Sequence, residues 1–402
     1  QSKWGFQPET PFTPSTAPVT AGGLVFFGSA DGIVRALDAA SGQLRWKAYT
    51  GGAVQYPPTI WQDRVFVGSG DGWVYSLEAA TGRLLWRFRV APAERKIPVY
   101  DSLISTWPAA SGVRVEAGVA YVGAGLFNYD GTHVYALDAI TGQLKWHNGT
   151  SGHLDPEART GVSVQGHLLL NEGKLYMAGG TLVSPAVYDT TNGNFLNDPA
   201  GVQEVDPWRT VYENPRGSEL YLVGDAVHTS GKPLYSDLKY PVNDYTVRNR
   251  SFFAASQDRI ITWVKNKHVH GGVPNAIPPV DRLMCFTRER ESEAVSFLTD
   301  WKRIFLSSRG LWEKPTKITD GPAPQTLWEY SGSETVALAL CPNALVVADH
   351  KEIYALSLED GRLLWVNVTA SHPIPWGLAV DRDGRVLATL EDGSIMCLGP
   401  AG

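Results

Sequence analysis

The chain has 402 residues, with 35 Lys and Arg set against 41 Asp and Glu for a formal net charge of −6, and 43% of it is hydrophobic. That balance, with no stripe of clustered cations, excludes a duplex nucleic-acid binder, which must displace phosphate counterions with Lys and Arg. The apolar fraction is ample for a core, and no apolar run is long enough to be a membrane-spanning helix.

The first residues, Ser2-Lys3-Trp4-Gly5-Phe6-Gln7, read as a strand from the middle of a fold and carry no charged-plus-apolar leader, as expected of a mature form or an excised domain. Next comes a β-branched and aromatic run, Leu24-Val25-Phe26-Phe27-Gly28, closed by Asp31-Gly32, a pair that supplies the positive φ angles of a tight hairpin. A second strand to Leu37 leads into the turn Ala39-Ala40-Ser41-Gly42 and a third strand bearing Trp46. The same order recurs from Arg64 through Asp71-Gly72 and Thr81-Gly82 to Trp86. The phrase that ends each unit returns from Ala136 to Trp146 and from Ala355 to Trp365, always with Trp four residues after Gly. A phrase returning with fixed internal spacing marks a repeat architecture, and the first two units begin about 40 residues apart, the length of a four-stranded propeller blade.

The predicted fold is therefore all-β, a single closed propeller spanning 1–402, most simply of eight four-stranded blades. The blades fall near residues 15–50, 54–90, 105–150, 160–200, 205–247, 250–330, 334–369 and 375–398. The last unit lacks an outer strand, and residues 1–8 with Trp4 are expected to complete it, which removes a free sheet edge. Residues 292–306 have apolar positions at helical spacing and predict a short helical insertion. The three cysteines, Cys285, Cys341 and Cys397, are far apart in apolar contexts and read as buried free thiols rather than a disulfide framework.

The phrase Ala-Leu-Asp-x-x-(Ser/Thr)-Gly-x-x-x-Trp resembles the tryptophan-docking motif of the PQQ-like, or quinoprotein alcohol dehydrogenase-like, β-propeller repeat family. It is complete in Ala36–Trp46 and Ala136–Trp146, departs at Ser76 and Glu78 in the second copy, and departs at Ser357 and Asp360 in the copy ending at Trp365. The resemblance implies a periplasmic or extracellular location and tryptophans that lock adjacent blades together. For the true dehydrogenases it also implies PQQ beneath a ring of adjacent cysteines, over a tryptophan floor, with Ca²⁺ held by Glu, Asn and Asp. This chain has no adjacent cysteine pair, and none of its positions matches those ligands.

Function in such folds sits in the loops of one face, where the connections entering each first strand meet the turns between second and third strands. The densest polar loop is Ser151–Thr160, in which His153, Asp155, Glu157 and Arg159 offer acid/base and clamping groups or oxygen ligands for a cation. Tyr100 is a further candidate base. Arg248 and Arg250 flank Asn249 before a strand and suit a carboxylate, sulfate or phosphate. Tyr56, Trp107 and Trp376 are expected at the channel mouth as stacking surfaces. His268 and His270 have a spacing used by metal sites but need further ligands.

Three functions follow. The favoured one is a non-redox scaffold that binds a ligand or protein partner at the loop face. The alternative is a carbohydrate-active enzyme of the polysaccharide-lyase kind, with His153 or Tyr100 as base, Arg159 and Arg248 neutralising the substrate acid, and Trp107 as platform. The third is a PQQ-dependent dehydrogenase.

Overall fold

The computed structural model describes residues 15–99, 102–154, 161–164, 166–179, 185–197, 220–223, 226–229, 253–256, 258–264, 282–287 and 326–399. Among these residues the chain is a succession of antiparallel sheets built in sequence order. The first comprises Val19–Ala21, Leu24–Gly28, Ile33–Asp38 and Leu44–Tyr49, and the second Thr59–Trp61, Arg64–Gly68, Trp73–Glu78 and Leu84–Arg89. A two-stranded hairpin, Lys96–Val99 with Ser102–Ser105, precedes the third sheet of Val113–Glu116, Val119–Ala124, His133–Asp138 and Leu144–Asn148. The fourth (Leu168–Asn171, Lys174–Met177, Ala186–Asp189) has three described strands, and the fifth position holds the pair Leu220–Val223 and Ala226–Thr229. The sixth (Phe253–Ala255, Arg259–Val264, Arg282–Thr287, Thr326–Ser331) and seventh (Thr335–Leu340, Ala344–Asp349, Glu352–Ser357, Leu363–Val368) are again four-stranded, and the last runs Pro373–Val380, Val386–Leu390, Ile395–Leu398. The only described helices are single 3₁₀ turns at Asn128–Asp130 and Ser151–His153.

The repeated phrase has a local physical cause. In the first sheet the Asp38 carboxylate accepts hydrogen bonds from the Ala40 and Ser41 amides and the Ser41 hydroxyl, while Gly42 N–H donates back to the Asp38 carbonyl. Asp138 repeats this with Ile140 and Thr141, and Asp189 does so with Thr191. Such a side-chain-closed turn requires a left-handed residue where the chain turns back, and Gly42, Gly82, Gly142, Gly193 and Gly361 lie at φ of 70, 73, 73, 76 and 73°. Arg45 donates to Asp38 and, with those turn hydrogen bonds, holds its carboxyl well below the usual carboxylate range.

One residue beyond each turn the ladder slips. Leu37 pairs with Leu44 but Ala36 pairs with Trp46, so Arg45 is an extra residue, and the same shift occurs at Leu85, Lys145, Leu327 and Leu364. A bulge re-aims the following side chain, and here that side chain is Trp46, Trp86, Trp146, Trp328 or Trp365. Trp46 Nε1–H donates to the Ala79 carbonyl at 2.8 Å, Trp86 to Ala139 at 3.1 Å, Trp146 to Thr190 at 2.8 Å and Trp328 to Leu358 at 3.0 Å. In every case the acceptor lies in the phrase turn of the following sheet. Each indole covers that turn's glycine: a Cβ on Gly82 would fall 2.6 Å from Trp46, and one on Gly142 or Gly361 2.7 Å from Trp86 or Trp328.

The core is accordingly a series of inter-sheet layers. Val34, Ala36 and Trp46 of the first sheet pack with Val65, Tyr75 and Leu77 of the second. Phe66 and Val74 then meet Val122, Tyr135 and Leu137 of the third. Similar layers join the third to the fourth, the sixth to the seventh, and the seventh to the last. Leu387 of the last sheet packs against Val25 and Ala39 of the first, where Thr389 also donates its hydroxyl to the Thr16 carbonyl at 2.8 Å.

Two expectations change. Cys285 is buried, but Cys341 is half-buried and Cys397 exposed, because Cys397 lies on the edge strand of the last sheet, so the thiols are not uniformly interior. Trp328 is a further docked indole that the Gly-x-x-x-Trp spacing does not reveal, since no glycine stands four residues before it. Trp4 and the 292–306 insertion lie outside the described residues.

Candidate functional site at the loop face

Hydrogen bonds place the second-to-third-strand turns and the connections entering the first strands on one face, as expected. Val90 N–H donates to the Gly72 carbonyl, Thr50 N–H to Gly32, Ala109 N–H to Ser69 and Gly125 N–H to Pro108. The connection after the second sheet carries the 96–105 hairpin, which builds a wall beside the third sheet's turn.

At the base of that wall lies Trp107. Its indole is buried and donates to the Asp130 carbonyl at 2.6 Å, and the Arg95 guanidinium sits 5.0 Å from its ring centroid. Arg95 also pairs with the Asp130 carboxylate and bonds the Thr106 hydroxyl at 3.0 Å. An arginine stacked on an indole and bonded through both Nε and one terminal nitrogen is fixed in place rather than waving in solvent. His153 reaches the same turn, its Nε2–H directed at the Tyr129 carbonyl at 3.3 Å.

Between Trp107 and His153 stand two histidines not singled out from sequence. His133 Nδ1 and His147 Nε2 are 3.0 Å apart, with ring planes 21° apart and centroids 5.3 Å apart. That separation is about the N···N distance plus the two ring radii, so one proton lies between the rings almost in their common plane. His147 stacks on Tyr135 at 4.3 Å, and Trp107 meets His133 edge-on at 6.3 Å. Burial, with the neighbouring His147 and His153, lowers His133 to about 4, and burial lowers His147 too. Burial pushes the Tyr135 phenol up to about 12. The pair is therefore neutral near neutrality, a hydrogen-bonding surface rather than a cation. Its signal was available: the register Ala136↔Trp146 repeats Ala36↔Trp46, which puts His147 opposite Tyr135 and next to His133.

The other predicted residues are spread around this face. Tyr56 packs beside Gly112, where the connections into the second and third sheets meet. Trp376 lies in an irregular stretch of the last sheet's first strand at φ +62°, a left-handed conformation that a bulky residue adopts only under constraint. The structure thus joins Trp107 and His153 through one turn, with Tyr56 and Trp376 elsewhere. Tyr100, Asp155, Glu157, Arg159, Arg248, Arg250, His268 and His270 lie outside the described residues.

Beside the wall an open groove of about 600 Å³ runs between the first and second sheets, lined among others by Tyr49, Trp73, Tyr75, Arg87, Arg89 and Arg95.

The residues present do not fit PQQ. Cys285, Cys341 and Cys397 are free and lie in or beside three different sheets, so no adjacent pair can form the ring over a quinone. Among the described residues no three His, Cys, Asp or Glu side chains converge on a common cation position.

Sheet succession, phrase turns and docked indoles define an all-β propeller of PQQ-like repeats. A family model described as outer membrane protein assembly factor BamB matches residues 1–232, more than half of the chain, and the chain belongs to that family. A quinoprotein ethanol dehydrogenase from Pseudomonas aeruginosa is 49% identical over 43 residues, 11% of this chain and 7% of that enzyme, so the likeness spans a small fraction of the dehydrogenase. Among solved structures, the computationally designed Ika8 protein aligns over 97% of this chain and 98% of its own at 14% identity, with a TM-score of 0.57. The quinohemoprotein alcohol dehydrogenase ADHIIG from Pseudomonas putida HK5 aligns over 95% of this chain and 70% of its own at 13% identity, with a TM-score of 0.53. At such identities the likeness concerns the fold.

Proposed function

We propose that this chain is a non-redox binding scaffold: a closed eight-bladed propeller, periplasmic or extracellular, that engages a protein partner at its loop face. The observation that carries the reading is the prebuilt wall at Arg95, Trp107 and Asp130, whose side chains hold one another in place beside an open groove. Groups held in this way offer shape and fixed charge to a partner at little ordering cost, which is what a binding surface needs. The matched family, described as an assembly factor of the outer membrane, supports a protein partner and an extracytoplasmic setting. The reading of eight blades is supported by the described sheets, apart from the 96–105 hairpin, taken as one blade each. The packing of Leu387 on Val25 and Ala39 supports ring closure, with Trp4 proposed to cover the first sheet's phrase turn. The indoles at 46, 86, 146 and 328 are the docking elements between blades.

The test is titration with PQQ and Ca²⁺, followed by absorption spectroscopy and native mass spectrometry. The expected result is an unchanged apo mass. A stoichiometric quinone overturns the non-redox reading and makes alcohol oxidation the activity to assay.

A further inference from the structure

The groove between the first and second sheets has a composition that selects a ligand class. Arg87 and Arg89 lie on the outer strand of the second sheet, directly across from Tyr75 and Trp73. Both are exposed, and among the described residues neither has a carboxylate partner, whereas Arg35, Arg45, Arg83 and Arg95 all do. The Arg87 guanidinium rests 4.7 Å from the Trp73 ring centroid, so the aromatic face orients it while its donors have no partner among the described residues.

The acid nearest these cations is already committed. One Asp71 carboxylate oxygen accepts from Gly51 N–H at 2.8 Å and the Tyr75 hydroxyl at 2.5 Å, and the other accepts from Trp73 N–H at 3.0 Å. Lys96 adds another cation to the lining, against the exposed Glu94. In a chain of net charge −6, a groove with two guanidiniums that have no carboxylate partner among the described residues is a local inversion of sign.

Spacing decides what fits. Residues two apart on one strand present side chains to the same face at about 7 Å intervals, so Arg87 and Arg89 repeat at the period of alternate side chains in an extended peptide. We infer that this groove binds an extended acidic peptide segment with carboxylates at alternate positions, those carboxylates facing Arg87 and Arg89 and the intervening side chains turned away from the sheet. Each carboxylate then meets one guanidinium in a charge-assisted contact. The inference rests on the scaffold reading and names the chemistry of its partner.

The experiment uses the whole chain and a fluorescein-labelled peptide alternating Glu and Thr, with fluorescence anisotropy as readout. A peptide of the same composition with its Glu residues in one block and an oligogalacturonate are the comparison ligands. The alternating peptide is expected to bind more tightly than either, and Arg87→Ala/Arg89→Ala to weaken it at least about tenfold, the loss of roughly one charge-assisted hydrogen bond. Arg45→Ala, a paired surface arginine, should leave binding unchanged, and circular dichroism checks that both variants keep the fold. Equal binding by the double variant and the parent overturns the site. Equal binding of the blocked peptide overturns the register argument, and preferential binding of the oligogalacturonate replaces the peptide with an acidic polysaccharide. These outcomes are independent of the quinone titration, so failure here leaves the non-redox reading standing and failure there leaves the groove standing.

Discussion

The tryptophans at 146 and 365 end nearly the same phrase and sit in very different surroundings. Trp146 donates to Thr190 of the next sheet, covers Gly193 and is buried. Trp365 follows its own bulge in the same way but is half-buried and has no indole hydrogen bond among the described residues. Trp328, whose phrase is incomplete, is docked as fully as Trp146. The lesson is that the phrase aims an indole, while the turn of the following sheet receives it. Gly42 makes the same point from the receiving side: unlike Gly82, Gly142, Gly193 and Gly361, it has nothing within 4 Å of a Cβ position among the described residues.

The largest expected break of this contrast is removal of a docked indole. Trp146→Ala or Trp328→Ala empties an inter-sheet layer and leaves a carbonyl unpaired, and each should lower stability by about 3–5 kcal/mol, the usual cost of a core aromatic truncation. Trp365→Ala should cost clearly less. Urea unfolding monitored by far-ultraviolet circular dichroism measures all three, and equal losses would mean that docking adds nothing to the indole's own burial.

Next in size is the receiving glycine. Gly82→Ala and Gly42→Ala both place a side chain at positive φ, which costs about 1–2 kcal/mol by itself. Only at Gly82 does the new methyl also press into an indole, that of Trp46, adding roughly 1–3 kcal/mol of overpacking. The two variants should therefore separate in denaturation midpoint, with Gly82→Ala the weaker protein. Coincident midpoints would place a ring over Gly42 as well, and Trp4 is the candidate.

These residues also mark what was legible in the sequence. Hairpin glycines, the Asp-closed turn and alternating apolar strands are local, so the repeat and its fold could be read directly from Asp31-Gly32, Asp71-Gly72 and the phrase turns. Trp328 escaped because its signal is a bulge, a Thr-x-Trp step, rather than the glycine used for recognition. The site was harder because it is a product of packing. His153 and Trp107 were singled out individually, but what unites them is the Tyr129–Asp130 turn and the His133–His147 pair, which exists only through cross-strand register. The cationic groove was likewise invisible: Arg87 and Arg89 look like ordinary solvated charges until Asp71 proves to be occupied by Gly51 and Tyr75.

A smaller effect concerns the contact between first and last sheets. The Thr389 hydroxyl is buried and donates to Thr16, 373 residues away in the chain. Thr389→Val keeps the shape and removes the donor, so it should cost about 1 kcal/mol, the net worth of one hydrogen bond. If closure by this pair holds the termini, amide exchange in residues 19–28 and 386–390 should rise more than elsewhere. A uniform rise would make the bond an ordinary core contact.

The subtlest comparison is between the histidine pair and the exposed charges around it, and pH separates them. His133 sits at about 4 in the folded chain against an ordinary 6.5, because burial and its histidine neighbours oppose a second positive charge. Between those values the unfolded chain binds more protons than the folded one at this site, so its contribution to stability is complete above pH 6.5 and declines as pH falls toward 4. His133→Asn cannot take up that proton, and the difference in stability between parent and variant should shrink steadily over the same interval in urea titrations. His147 has the same direction of shift and should add to the parent's decline. A difference that stays constant with pH would mean that His133 titrates normally and that its neighbours do not oppose its protonation.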